Sequence, residues 1–322
     1  MDILISEDLR SPALSQLEAK YQVVREASLW QQHARLKESI AQARTIVIRN
    51  QTRLTAELLA AAPHLMAIGR VGVGLDNIDM AAASKLGIVV VAPLNANATS
   101  VAELTCGLLL ALARKIPQAD RSTRAGDWDR AGCTGIEVEG KTLALCGFGR
   151  IGRLVASRAR AFGLNIAVYD PLIAADSVAL SETGATLHAQ LETALAGADF
   201  VSLHLPLTQD TAHSFNAKTF NAFKPGAFFI NTSRGGVVDE PALLAALQTG
   251  RLAGAALDVR EVEPPAARDS FAALPNVILT PHIGAFTLEA QKRTFETVAA
   301  DLERLLSGQP ALSFVNLDRP KR

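Results

Sequence analysis

Apolar positions along the chain gather in short Val- and Ile-rich runs. Between them lie longer stretches whose apolar residues recur every three or four positions, a rhythm that alternates strands with helices. The first part predicts strands at Ile3 to Ile5, Tyr21 to Val24, Thr45 to Arg49, Leu65 to Ile68 and Ile88 to Val91, with helices such as Leu54 to Ala61 and Asp79 to Leu86. Ser100 reads as the N-cap of an apolar helix, Val101 to Lys115, that ends at Ile116-Pro117. A second set of strands follows at Leu143 to Cys146, Ile166 to Tyr169, Phe200 to Leu205, Ala227 to Thr232, Gly254 to Val259 and Val277 to Thr280. The amphipathic stretch Thr287 to Leu306 and the short Ser313-Phe314-Val315 come after that sheet is complete, so they are expected to return to the first unit. The pattern therefore predicts an α/β protein with two doubly wound parallel sheets. One domain, residues 99–286, would be inserted into the other, residues 1–98 and 287–322, with two hinges and a cleft between them.

Length agrees, because 322 residues exceed what one hydrophobic core usually organises. Hydrophobic residues at 49% and charged residues at 20% describe a soluble globular chain. Lys and Arg together number 32, as do Asp and Glu, so no net field draws the chain to nucleic acid or an anionic membrane, and any anion site must be local. Met1-Asp2-Ile3-Leu4-Ile5-Ser6 lacks the basic start of a secretory signal, and no apolar run is long enough to span a bilayer, so a cytoplasmic location is expected. Cys106, Cys133 and Cys146 have no C-x-x-C spacing, which points to reduced thiols and to no metal site.

The stretch Thr142-Leu143-Ala144-Leu145-Cys146-Gly147-Phe148-Gly149-Arg150-Ile151-Gly152 changes the picture most: an apolar strand runs directly into G-x-G-x-x-G and a helix-compatible segment. Gly147 permits a tight turn, Gly149 lets backbone approach a pyrophosphate, and Gly152 lets the helix pack on the strand. The phosphates would face a helix N-terminus, where free N–H groups and the dipole favour anions. Asp170 closes the next apolar run, 18 positions beyond Gly152, where a carboxylate can accept from both ribose hydroxyls. It would repel a 2′-phosphate, so NAD is expected rather than NADP. Three further residues follow later strands: Arg234 heads Arg234-Gly235-Gly236, Glu263 lies in Glu261-Val262-Glu263-Pro264-Pro265, and His282 follows Thr280-Pro281. An arginine fork, a carboxylate and an imidazole at strand ends can bind a 2-oxo acid, polarise its carbonyl and move a proton.

Ala102-Glu103-Leu104-Thr105-Cys106-Gly107, the glycine-rich stretch, Asn231-Thr232-Ser233-Arg234-Gly235-Gly236-Val237-Val238-Asp239-Glu240 and Pro281-His282-Ile283-Gly284-Ala285 closely resemble the D-2-hydroxyacid dehydrogenase family. Gly69-Arg70-Val71-Gly72-Val73-Gly74-Leu75-Asp76-Asn77-Ile78-Asp79 and Leu112-Ala113-Arg114-Lys115-Ile116-Pro117-Gln118-Ala119 resemble its D-3-phosphoglycerate dehydrogenase branch, without the regulatory extension of many members. The resemblance implies a Rossmann cofactor domain, residues 99–286, inserted into a flavodoxin-like substrate domain, residues 1–98 and 287–322, in an NAD-dependent oxidoreductase that moves a hydride between nicotinamide C4 and C2 of a small 2-hydroxy or 2-oxo acid, and a homodimer formed through the cofactor domain. It implies that Arg234 binds the substrate carboxylate and polarises the carbonyl, that Glu263 and His282 form the acid–base pair, and that the N–H groups of Val73 and Gly74 hold the carboxylate. On the cofactor side it implies pyrophosphate contacts at Arg150 and Ile151, the ribose acid at Asp170, a position near the nicotinamide carboxamide at Asp258, and lining positions at His204, Pro206, Thr232, Gly284 and Thr105.

Substrate identity stays open. Arg49 and Asn50 match a polar pair that holds the distal phosphate in phosphoglycerate-oxidising members, and Arg70 adds charge nearby. Two departures stand out: Arg260 where an aromatic is usual after Asp-Val, and Phe286 where Ser is usual after His-x-Gly-Ala. Phosphoglycerate, hydroxypyruvate, glyoxylate or a sulfonated analogue therefore remain candidates. Formate dehydrogenases resemble the family but carry glutamine in place of the glutamate, so Glu263 argues against that activity. An NAD(H)-sensing co-repressor on the same fold is the alternative from another class.

Overall fold

The computed structural model describes residues 1–265 and 269–321 and divides into two compact units, Met1–Asn97 with Ala285–Arg322, and Ala98–Gly284.

In the first unit, β1 (Ile3–Ile5), β2 (Val23–Arg25), β3 (Thr45–Ile48), β4 (Ala67–Arg70) and β5 (Val89–Val91) form one parallel sheet in the order β2-β1-β3-β4-β5. The strands read as unbroken apolar runs because helices cover both faces. On one face Leu4, Ile46, Ile48, Ile68 and Val90 pack with Leu36, Ile40, Leu58 and Leu59. On the other, Ile3, Ile5, Val47, Val89 and Val91 pack with Leu14, Leu17, Phe295, Val298 and Leu302. The last three belong to the helix Leu288–Leu306, which Thr287 caps by accepting from the Ala290 N–H at 3.2 Å. Gly69 admits this helix, since a Cβ there would stand 2.7 Å from Val298 Cγ1. Ser313-Phe314-Val315 forms no strand; Phe314 makes one antiparallel bridge with Val91 at the sheet's edge.

The second unit contains β6 (Thr142–Cys146), β7 (Asn165–Tyr169), β8 (Thr186–Leu187), β9 (Phe200–Leu203), β10 (Ala227–Asn231), β11 (Leu252–Leu257) and β12 (Val277–Leu279). All pair in parallel, in the order β12-β11-β10-β9-β6-β7-β8. Chain order thus runs one way from β6 and the other way from β9, and the crevice outside the C-terminal ends at such a switch point is where these sheets bind ligands.

Two local expectations are corrected. The apolar helix starts at Ala98, so Ser100 is a buried first-turn residue rather than the N-cap. Lys115, at φ 52°, breaks the run, and Pro117 then sits in the first turn of a new helix, Ile116–Arg124, where its missing N–H leaves no bond unmade. Strand ends also shift: Leu205 and Val259, which continue the apolar runs, and Thr232 lie past the last ladder pairs, in the loops at the sheet's C-terminal crest.

Candidate active site

The glycines after β6 are required by close approaches. Gly147 has φ 96°, and a Cβ on it would stand 2.5 Å from the His204 carbonyl oxygen. A Cβ on Gly152 would run into the Gly147 carbonyl, whereas one on Gly149 would meet nothing within 4 Å. Gly149 is the N-cap of the helix Arg150–Ala161 and supplies no side-chain cap. Open space therefore stands before the first turn of that helix, at Arg150 and Ile151. Arg153 Nε steadies the loop by donating to the Phe148 carbonyl at 3.0 Å. Asp170, directly after β7, accepts the Phe148 N–H on Oδ2 at 2.7 Å and the Leu172 N–H on Oδ1 at 2.9 Å. A carboxylate offers about four acceptor positions, so two bonds leave room for a diol. These residues fit a dinucleotide.

Other predicted lining residues lie at the same crest. His204 is half-buried, its Nε2 is 3.1 Å from Ser202 Oγ, and desolvation pushes its imidazole down to about 4, so it is neutral near pH 7. Thr105 Oγ1 donates to the Val101 carbonyl at 2.8 Å, which makes Thr232 the donor in the 2.9 Å bond between their hydroxyls. The Pro206 carbonyl accepts from Thr211 Oγ1 at 2.6 Å.

Arg234, Glu263 and His282 follow β10, β11 and β12, three strands adjacent in the sheet. Asn231 shapes the first of these turns, donating from Nδ2 to the Arg234 carbonyl at 3.0 Å and accepting the Ser233 N–H at 3.0 Å. Gly235 is needed beyond it, because a Cβ there would overlap the Arg260 carbonyl. Asp258, at the end of β11, is buried and accepts from Thr280 Oγ1 at 2.6 Å and from the Ile283 and Gly284 N–H groups at 2.8 Å. Its carboxylate is thus engaged in holding the segment that carries His282. Gly284 is fitted against it, a Cβ standing 3.1 Å from Asp258 Oδ2. His282 has φ 54°, in the left-handed region that non-glycine residues rarely adopt. Its Nδ1 meets Glu263 Oε2 at 2.6 Å, and Glu263 Oε1 accepts the Arg260 N–H at 2.9 Å. Burial alone would raise the Glu263 carboxyl. The bonds from His282 and the Arg260 N–H, with the charge of Arg234, outweigh that and hold it below the usual carboxylate range.

The substrate-side residues predicted for the first unit also stand at strand ends. Arg49 and Asn50 follow β3, and Val73 and Gly74 follow the neighbouring β4. Glu7, buried after β1, accepts the Arg49 and Thr52 N–H groups at 2.8 and 2.9 Å, and Asn77 Nδ2 donates to the Arg49 and Thr52 carbonyls at 3.1 and 2.7 Å. The Arg49 guanidinium lies over the Phe286 ring, 4.2 Å from its centroid. Sequence reasoning passed over Glu7, Asn77 and Asn231. For Glu7 and Asn231 the available signal was a polar side chain at or just past a strand end, the place where backbone N–H and C=O groups leave the ladder; Asn77 lies in the loop between β4 and the next helix and carried no such signal.

The glycine-rich turn after β6, the carboxylate after β7 and the doubly wound sheet define the class as a dinucleotide-binding α/β unit. Residues 106–284 match the family model of the D-isomer specific 2-hydroxyacid dehydrogenases, NAD binding domain, and the chain belongs to that family. It is 43% identical over 316 residues to the D-3-phosphoglycerate dehydrogenase of Methanocaldococcus jannaschii, covering 98% of this chain and 59% of that protein. The chain thus spans under two thirds of the length of that relative. Among solved structures, a glyoxylate reductase from Paecilomyes thermophila superposes with TM-score 0.88 at 30% identity, covering 98% of each chain. An NADPH-dependent glyoxylate/hydroxypyruvate reductase from Sinorhizobium meliloti, in complex with NADP and malonate, gives TM-score 0.88 at 31% identity and covers 100% of this chain and 98% of that one. Among the described residues no helix is long and apolar enough to cross a membrane, and no group of His, Cys, Asp and Glu could hold a metal ion.

Proposed function

We propose that the chain is an NAD(H)-dependent 2-hydroxyacid dehydrogenase acting on a small 2-hydroxy or 2-oxo acid of the phosphoglycerate, hydroxypyruvate or glyoxylate type. The observation that carries this reading is the 2.6 Å contact between His282 Nδ1 and Glu263 Oε2. It occupies one ring nitrogen and leaves Nε2 without a hydrogen bond among the described residues. When bound, the nicotinamide supplies or takes up the hydride at C4. In reduction, Arg234 holds the substrate carboxylate and draws electron density onto the C2 oxygen, and His282 Nε2 gives that oxygen its proton. In oxidation, Nε2 takes the hydroxyl proton back. Glu263, ionised beside the ring, stabilises the charged imidazole in either direction. Within the first unit, the same reading assigns anion contacts to Arg49, Asn50, Val73 and Gly74.

Asp170 supports NAD over NADP, because its carboxylate has no cationic partner among the described residues to offset a 2′-phosphate. Three free thiols fit a reducing, cytoplasmic compartment. A homodimer through the second unit is supported by Trp128 and Ile116, 79% and 53% exposed, and sedimentation at micromolar concentration tests it. The test of function is NADH consumption with phosphohydroxypyruvate, hydroxypyruvate, glyoxylate and a sulfonated analogue, and NAD reduction with the matching hydroxy acids. Turnover of any one supports the dehydrogenase. NADH binding with no turnover in either direction would instead support a nucleotide-sensing module.

A further inference from the structure

Glu263 lies on a segment, residues 261–265, that is exposed throughout. Such a segment does not hold a carboxylate at 2.6 Å from a neighbouring imidazole unless something anchors its start. The anchor is Arg260, whose side chain is only 10% exposed. Its Nε and Nη2 donate to the two carboxylate oxygens of Glu240 at 2.8 and 2.9 Å, a bidentate fork. On its other edge Nη1 pairs with Asp269 Oδ2, and Nη2 reaches Asp269 Oδ1 at 3.0 Å. The guanidinium also stands 4.8 Å from the centroid of the Phe271 ring. Burial would raise the Glu240 carboxyl, but the bonds from Arg260 and the Glu261 N–H overcome it, so both partners of the cation stay charged.

The clamp joins the two turns that carry the site. Glu240 begins the helix Glu240–Gln248, which follows directly on the Arg234-Gly235-Gly236 turn, and Glu240 Oε1 also accepts the Glu261 N–H at 2.9 Å. Gly235 lies against the Arg260 backbone with no room for a Cβ. From a second direction Glu261 Oε1 meets His213 Nε2 at 2.7 Å.

We infer that Arg260 is a positioning residue for the acid–base pair: gripped by Glu240 and Asp269, it fixes residues 260–263 so that its own N–H takes Glu263 Oε1 and leaves Oε2 for His282. The inference rests on the proposed role of Glu263 and His282. An aromatic at this place would pack on Phe271 but could not tie two carboxylates together. A lysine would keep the charge without the planar fork.

The test uses Arg260→Met and Arg260→Lys in the intact chain. Arg260→Met should lower kcat about tenfold or more while substrate KM and NADH affinity change by less than about threefold, and Lys should restore only part of the loss. In a Glu263→Gln background, Arg260→Met should cost less than about twofold further, because a residue acting through Glu263 has nothing left to position. A readout independent of activity comes from the imidazole nitrogen chemical shifts of His282. The wild-type neutral ring should carry its proton on Nδ1, and Arg260→Met should move it toward the Nε2-protonated form. If no 2-oxo acid is turned over, the dehydrogenase reading fails while the nitrogen shifts still judge the clamp. Should Arg260→Met not fold, Glu240→Gln removes one arm with little change of shape and is expected to give the same tautomer shift. Unchanged kcat, a loss that adds in full to that of Glu263→Gln, or a His282 tautomer unaffected by either variant would each overturn the inference.

Discussion

Replacing Glu263 by Gln keeps the shape of the side chain and removes one negative charge beside His282. The two groups meet at 2.6 Å, with side chains 44% exposed for His282 and 34% for Glu263. The charges are spread over the carboxylate and the ring, so their centres stand about 4 Å apart, where unit charges interact by about 1 kcal/mol if water fully screens them and about 4 kcal/mol under the screening typical of a protein surface. Because a third or more of each side chain faces solvent, the lower part of that range applies, about 1.4 kcal/mol, or one pH unit. The sign follows from which form the carboxylate favours. Glu263 is held below the usual carboxylate range and stays ionised near neutrality, so it favours the protonated imidazole that reduction requires. Removing its charge should therefore move the alkaline limit of reductive kcat/KM down by about one unit, and the onset of oxidative kcat/KM down by a similar amount. The assay is a pair of pH profiles for each protein, one with NADH and a 2-oxo acid and one with NAD and the hydroxy acid. Profiles that coincide with wild type in both directions would refute the reasoning, because Glu263 would then have no electrostatic hold on the proton donor.

Arg234→Ala should lower kcat/KM by about 3 to 5 kcal/mol in transition-state binding with NADH affinity unchanged by fluorescence titration; a variant with most of its activity would leave the arginine only a structural part. Asp170 should give NADH at least a tenfold advantage over NADPH in kcat/KM, and equal efficiency would remove it from the ribose site. Gly149→Ala should leave thermal stability unchanged, since its Cβ meets nothing within 4 Å, yet weaken NADH binding about tenfold or more; a normal dissociation constant would move the pyrophosphate elsewhere. By contrast Gly147→Ala, at φ 96° and 2.5 Å from the His204 carbonyl, should destabilise the fold by about 1–3 kcal/mol, visible in denaturant unfolding.

The architecture was legible because parallel strands buried on both faces leave continuous apolar runs, and their alternation with helical segments admits few topologies. What the runs could not fix were ends and exceptions. Leu205 and Val259 are as apolar as the strand residues before them, and only the ladder shows that the strands have stopped. The edge strand Thr186–Leu187 is too short to leave a pattern, and Ser100 looked like a cap because hydroxyl residues favour that place, although the helix begins two residues earlier. The glycine-rich turn was legible for a different reason: each glycine answers a steric demand local to one strand and one helix, so spacing alone carries it.

Side-chain pairings across loops are a different matter. That Arg234, Glu263 and His282 follow neighbouring strands could be argued from the order of the runs, but the hydrogen bond between Glu263 and His282 joins residues 19 positions apart through a path that periodicity does not encode. Asp258 shows the limit most clearly. The family pattern assigns it to the cofactor, and its three bonds to residues 280–284 show a second effect, holding the His282 segment in place. Arg260 stood out in the sequence only as an unusual residue, and its meaning depends on Glu240 and Asp269, which lie 20 and 9 positions away on other elements. A charge gains its role from the partner the fold brings to it, and an aromatic-to-arginine change can therefore keep a loop in place by wholly different contacts. Departures from a family pattern are for that reason the positions where coordinates add most to what the residue types suggest.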